Sequence, residues 1–196
     1  MDTDTKAVAV TLGVVALVVS LYGASRILAP RAAQWGASRA REVSARWPRE
    51  ARLQVDLLLE RYGPPRVAWT DRIEWGAHGR WKRIVVSDRP MSPLEDVVEY
   101  RIPEDRYQEL SRFPHGLRLY PETGEIGARS DRESLNILAL NLADDIVAGR
   151  RTPEQASRFY LTTTRLAAAG KSSPYLDRLL FKVAGEPVER IANMAY

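Results

Sequence analysis

Between Ala7 and Ser25 the chain carries no charged side chain, and Val, Leu and Ala dominate. A helix of that length rises about 1.5 Å per residue and covers roughly the 30 Å of a bilayer's hydrocarbon core. A transmembrane anchor over residues 1–30 is therefore expected. A cleaved signal peptide fits less well. Such leaders open on a basic segment and end at a small-residue cleavage site, whereas this chain opens MDTDTK, two Asp against one Lys. No cysteine follows to take a lipid. A buried core helix would be shorter and carry a polar face. Thr11, Gly13, Ser20, Gly23 and Ser25 fall partly on one side, where small residues let another helix approach. Such residues are also common in membrane helices generally.

Charge sets the orientation. Arg26, Arg31, Arg39, Arg41, Arg46, Arg49 and Arg52 face only Glu42 and Glu50, while residues 53–196 hold 21 basic and 21 acidic residues. The net charge of +4 is thus a juxtamembrane feature. Basic flanks stay cytoplasmic, so the sequence predicts a short N-terminus outside and the main domain in the cytoplasm of a bacterium, on its inner membrane. Arg26, Arg31, Arg39, Arg41 and Arg46, with Trp35 and Trp47 as interfacial aromatics, are the expected membrane-interface residues. Each basic residue near the surface adds about 1 kcal/mol of attraction to anionic lipid headgroups. The basic balance needs no nucleic-acid partner.

The remaining length suffices for one small core. The chain has no cysteine, which excludes disulfides, thiolate catalysis and cysteine-bound metals, and it has two histidines. Arg outnumbers Lys 25 to 4, as in GC-rich bacterial genomes.

Residues 31–62 read as a basic helical region, broken at Pro48, which cannot donate to the carbonyl of Ser44. Val55, Leu58, Leu59 and Tyr62 make a helical stripe stopped by Gly63-Pro64-Pro65. Residues 63–170 read as a cytoplasmic domain. Val67/Trp69 and Ile73/Trp75 alternate, and WKRIVVS at 81–87 completes a hairpin over 72–87. Residues 97–102 alternate as a half-buried strand. PEDRYQELS at 103–111 predicts a short helix. Leu117, Leu119, Ile126 and Ala128 flank a Pro121–Gly124 loop, giving a second hairpin. Ser130 and Glu133 predict a capping box ahead of a helix striped by Leu135, Leu138, Leu142 and Ile146. Thr152, Pro153 and Gln155 predict a second capped helix, striped by Ala156, Phe159, Tyr160, Thr163, Leu166 and Ala167 and stopped by Gly170. The fold class expected is α+β: a small antiparallel sheet with this helical hairpin on one face.

Residues 171–196 form a tail in which Ser173 caps a short helix with Pro174 at its first position. Tyr175, Leu176, Leu179, Leu180, Phe181 and Val183 make its apolar side. It docks either on the domain's own core or on a partner subunit or the membrane surface.

Arg61–Pro65, Trp81–Val86, Val98–Pro103 and Leu138–Val147 together resemble segments of a family of uncharacterised bacterial proteins. The resemblance covers about residues 55–160. It implies one N-terminal membrane helix and a small cytoplasmic α+β domain. It carries no activity, and the tail after Gly170 departs from it.

Chemical signatures are sparse. His78 and His115 sit in loops with no His-x-x-x-His pair and no cysteine, a weak basis for zinc. Asp144 and Asp145 point about 100° apart on a helix and suit solvation or capping better than paired catalysis. Glu95-Asp96 reads as an acidic loop end. Neither GxxxxGK[ST] nor GxGxxG occurs. Trp81 beside Lys82 and Arg83 suits core packing better than nucleic acid or phosphate. Before Arg26 the spanning segment holds no haem or pigment ligand and no proton relay. No catalytic, cofactor or metal residues are assigned.

The leading expectation is a non-catalytic accessory or scaffold subunit of a larger bacterial membrane complex, with a photosynthetic reaction-centre and light-harvesting complex as the specific host. The alternatives are a membrane-tethered ligand-binding or regulatory domain, which requires a pocket with convergent polar groups, and an enzyme with a pocket around Trp69, Trp75, His78 and Trp81.

Overall fold

The computed structural model describes residues 34–183. The expected membrane span, Arg26, Arg31 and the last part of the tail lie outside the described residues. Among the described residues no helix is long and apolar enough to cross a membrane. What is described is α+β, with six antiparallel strands and several helices.

The strands are β1 (Val67–Ala68), β2 (Arg72–Trp75), β3 (Arg83–Ser87), β4 (Leu94–Glu99), β5 (Leu117–Tyr120) and β6 (Glu125–Ser130), ordered β1-β2-β3-β4-β6-β5. Both expected hairpins form, with Ile73 opposite Val86 in one and Leu119 opposite Ile126 in the other. Strand β6 then pairs with β4, Val98 opposite Ile126. Side chains alternate across a strand, so the register gathers Ile73, Trp75, Ile84, Val86, Leu94, Val98, Ile126 and Ala128 on one face, all of them buried. The other face is charged. Glu95 pairs with Arg129 and accepts from Tyr120, and Glu125 pairs with Arg83, whose guanidinium lies 4.9 Å from the Tyr120 ring centroid. Burial opposes the Glu125 charge, but Arg83, Thr123 and Lys82 together outweigh it and hold the carboxyl below its ordinary range. Val85 and Val97 are buried under these pairs and do not join the main core.

The helices pack on the apolar face. Helix α1, described over 34–44, is followed by α2 (Arg49–Tyr62) after a turn at 45–47, as Pro48 predicts. A single 3-10 turn, Glu104–Arg106, leads into α3 (Tyr107–Ser111). Helix α4 (Glu133–Val147) lies on the sheet and is buried nearly all round. Helix α5 (Pro153–Ala168) starts from a complete Thr152/Gln155 capping box, as expected. It packs chiefly on α4, and α4 is the member of the helical hairpin that makes the main contact with the strands. Helix α6 (Pro174–Asp177) opens with Ser173 accepting from the Tyr175 amide.

Several expectations are corrected. The 97–102 strand lies three residues earlier, because β4 must reach Leu94 to match both β3 and Ser130 of β6. Tyr100 and Ile102 leave the sheet, and the Tyr100 hydroxyl donates to Asp144 at 2.7 Å. No Ser130/Glu133 capping box forms. Arg132 is the cap residue, the Ser130 hydroxyl donates to the Arg132 carbonyl, and the Glu133 carboxylate turns to Arg61 and Trp81. Trp47, expected at the membrane interface, is 8% exposed, and its indole donates to the Thr70 carbonyl at 3.1 Å. The α1–α2 corner drives it inward, where burying its large apolar ring is worth more than a surface position.

The segment 173–183 turns onto its own domain. Leu176 and Val183 are buried, Tyr175, Leu179 and Phe181 pack against the core, and only Leu180 of the six expected docking residues lies open. Asn141 of α4 secures the segment by donating to the carbonyls of Tyr175 and Arg178 and accepting from the Leu180 amide at 2.7 Å. Asp145 accepts from Tyr175 at 2.9 Å and pairs with Arg150 and Arg151. Burial opposes its charge, but these partners outweigh it and hold the carboxyl below its ordinary range.

Candidate functional site

Asp96 lies in the middle of β4, flanked by Leu94, Val97 and Val98, on the sheet face that the helices cover. Alternation sends the preceding Glu95 to the charged face and Asp96 into the core. It is 1% exposed. Among the described residues its carboxyl receives one hydrogen bond, from Asn136 Nδ2 to Oδ2 at 2.8 Å. Asn136, one turn into α4, also donates to the Leu94 carbonyl at 3.2 Å, while its own Oδ1 has no partner. Burial is the main cause that raises the Asp96 pKa, to about 7, against the opposing Asn136 bond. Nearby Glu133 and Glu95 raise it further and Arg61 lowers it.

Asp96 forms part of the wall of a cavity of about 310 Å³ between α2 and the first turn of α4. Leu57, Leu58, Ile84 and Leu94 supply apolar surface, and Gln54, Arg61, Tyr62 and Glu133 add polar edges. Arg61 and Glu133 pair with each other, and Glu133 also accepts from the Trp81 indole at 3.1 Å. The volume sits at the lower end of ordinary small-molecule sites. A buried acid at the wall of an apolar cavity is an arrangement that can hold a ligand or exchange a proton.

Compared with known proteins, the chain matches no family model, no curated protein and no solved structure.

The other sequence candidates lie apart from it. Trp75 and Trp81 are core residues, Trp69 lies at the surface with the Arg72 guanidinium 4.3 Å from its ring centroid, and His78 stacks on Tyr62 at 4.7 Å. None of these four lines the cavity. His115 stacks on Tyr160 at 4.0 Å, and its Nε2 is 2.8 Å from the Ser157 hydroxyl. Burial lowers its pKa. The structure therefore uses both histidines as packing pieces on separate elements. Among the described residues no group of three or more His, Cys, Asp or Glu could hold a metal.

Of the expected interface residues, Trp35 is 77% exposed, and Arg39, Arg41 and Arg46 are exposed. Arg39 pairs with Glu42, and Arg41 lies 3.5 Å from Asp56. The expectation that Glu95-Asp96 is an acidic loop end is corrected, since both lie inside β4. The available signal for Asp96 was an acidic residue between apolar ones in LEDVV, which a strand starting at Leu94 would have carried into the core.

Proposed function

We propose that this protein is a single-pass accessory or scaffold subunit of a larger bacterial inner-membrane complex, anchored through residues 7–25 with its N-terminus outside and its domain in the cytoplasm. The specific host proposed is a photosynthetic reaction-centre and light-harvesting complex. The observation that carries the reading is the seating of α1. Ala40 and Ser44 are buried, Gly36 lies against Pro64, and no slack linker separates the helix from the domain. Trp35, Arg39 and Arg41 are exposed on this helix, and Arg46 is exposed on the turn after it. With α1 packed on the domain, the sequence leaves few residues between the proposed anchor and the domain, which suits a scaffold. Basic and aromatic side chains at that level suit headgroups and membrane-subunit surfaces.

The test is gentle detergent extraction of the native membrane, then pull-down of the tagged full chain and mass spectrometry. The expected result is stoichiometric recovery of one large complex, weakened by Trp35→Glu. Recovery of the protein alone, at its monomer mass, overturns the reading. Residues 173–183 are built into the core, so removing the tail would unfold the domain and is the wrong control.

The Asp96 cavity favours a second reading, a membrane-tethered ligand-binding or regulatory domain. It is compatible with the first, since a scaffold subunit can also carry a ligand.

A further inference from the structure

The cavity between α2 and α4 reaches one acceptor that has no donor among the described residues, Asp96 Oδ1, since the only hydrogen bond to this carboxyl reaches Oδ2. Asn136, which makes that bond through Nδ2, is fully buried and does not itself line the cavity. A carboxylate with little water and few donors is costly. The neighbouring charges do not supply a donor, because Arg61 is taken by Glu133 and Arg132 by Asp131. Both oxygens of Glu133 are likewise engaged, by Arg61 and Trp81. The buried carboxylate left without a cation at this wall is that of Asp96, while Glu60 is exposed at the rim.

A ligand for this place must bring donors and a positive charge and must not bring acceptors. An ammonium group meets that demand, having three donors and no acceptor. The walls set the rest of the ligand: Leu57, Leu58, Ile84 and Leu94 need a hydrocarbon surface opposite them. The volume of about 310 Å³ admits a short chain or a small ring. A divalent metal would want several convergent oxygen ligands, and inside the cavity only Asp96 offers a free buried carboxylate oxygen, Glu60 lying exposed at the rim.

We propose that this cavity binds a small organic monocation, a primary ammonium on an apolar body, with the ammonium at Asp96. The proposal deepens the ligand-binding reading above and rests on it. The ammonium takes the place of the carboxyl's own proton. The titratable and charged groups around Asp96 are Glu133 and Arg132 at the α4 start, Glu60, Arg61 and Tyr62 of α2, and, acting from the other sheet face, Glu95 of its own strand. With Asp96 titrating at about 7, binding strengthens as the pH rises from 6 to 8, by roughly tenfold for one displaced proton.

The experiment uses the full chain, labelled with ¹⁵N at asparagine, in nanodiscs of zwitterionic lipid. The probes are n-butylammonium chloride, n-butanol and sodium butanoate, and the readout is the Asn136 side-chain amide resonance. Expected is a saturable shift with n-butylammonium, roughly tenfold tighter at pH 8 than at pH 6. Asp96→Asn should abolish it. Leu57→Trp, a change at the half-exposed rim, should also block it while leaving the carboxyl–amide pair intact. Equal binding of n-butanol, or preference for butanoate, overturns the charge assignment and leaves a ligand pocket standing. No saturable response to any of the three overturns both the assignment and the pocket reading.

Discussion

Asp96 has a consequence for stability that its neighbours on the charged face lack. Its value of about 7 in the folded chain lies above the ordinary 3.8. Between those values the folded state binds more protons than the unfolded state. This group's contribution to stability is therefore full below about pH 4 and lost as the pH rises to about 7. A three-unit difference sets a ceiling of about 4 kcal/mol. Asp96→Asn keeps the shape and removes the titration. Urea unfolding at pH 5 and pH 8 should show the variant gaining on the parent by a few kcal/mol at the higher pH. An equal difference at both values would place the carboxyl in contact with water. Gly116 is a second sensitive residue. Its φ is +74°, and a Cβ there would lie 2.2 Å from the Arg129 carbonyl oxygen, where the chain enters β5. Gly116→Ala should cost on the order of 3 kcal/mol by thermal unfolding, from left-handed backbone strain and the forced separation of β5 from β6.

At the scale of elements, the α1–α2 corner and the tail each depend on one side chain that reaches far along the sequence. Trp47 plugs the corner and ties it to Thr70, 23 residues on. Trp47→Ala should destabilise by about 3–5 kcal/mol, and Trp47→Phe by about 1 kcal/mol for the lost hydrogen bond. Chemical denaturation of both variants would separate packing from hydrogen bonding. Asn141 holds the 173–183 segment by three hydrogen bonds to backbone groups. Asn141→Ala leaves those groups without their partner and should cost about 2–3 kcal/mol. Limited trypsin digestion should then cut after Lys171, Arg178 or Lys182 before the rest of the domain is attacked. Cleavage at these sites no faster than in the parent would show that packing of Leu176 and Val183 alone holds the segment.

For the molecule as a whole, one core joins residues from Ala40 in α1 to Val183 after α6. The division expected from sequence, with a juxtamembrane region ending at 62 and a tail beginning at 171, does not follow the packing. Ala51, Val55, Leu58 and Leu59 of α2 are part of the same core as Leu138, Leu142 and Ile146 of α4. A single core predicts a single cooperative transition. Tryptophan fluorescence and far-ultraviolet circular dichroism should give coincident urea curves for residues 34–183 within the full chain. Two separated transitions would restore the sequence-based division.

Local pattern was legible wherever neighbours along the chain carry the cause. The uncharged run at 7–25, the alternation in both hairpins, the break at Pro48 and the Thr152/Gln155 cap are such cases, because period, ring closure and capping act within a few residues. The described structure agrees on the hairpins, the break and that cap. Only tertiary structure decided the inward turn of Trp47, the docking of Leu176 on α4, and the placing of Asp96 under α2 and Asn136. Each depends on a partner between 23 and 40 residues away. Strand register decided the last of these. Shifting β4 by one residue would exchange Asp96 for Glu95 and put the charged network where the cavity now lies.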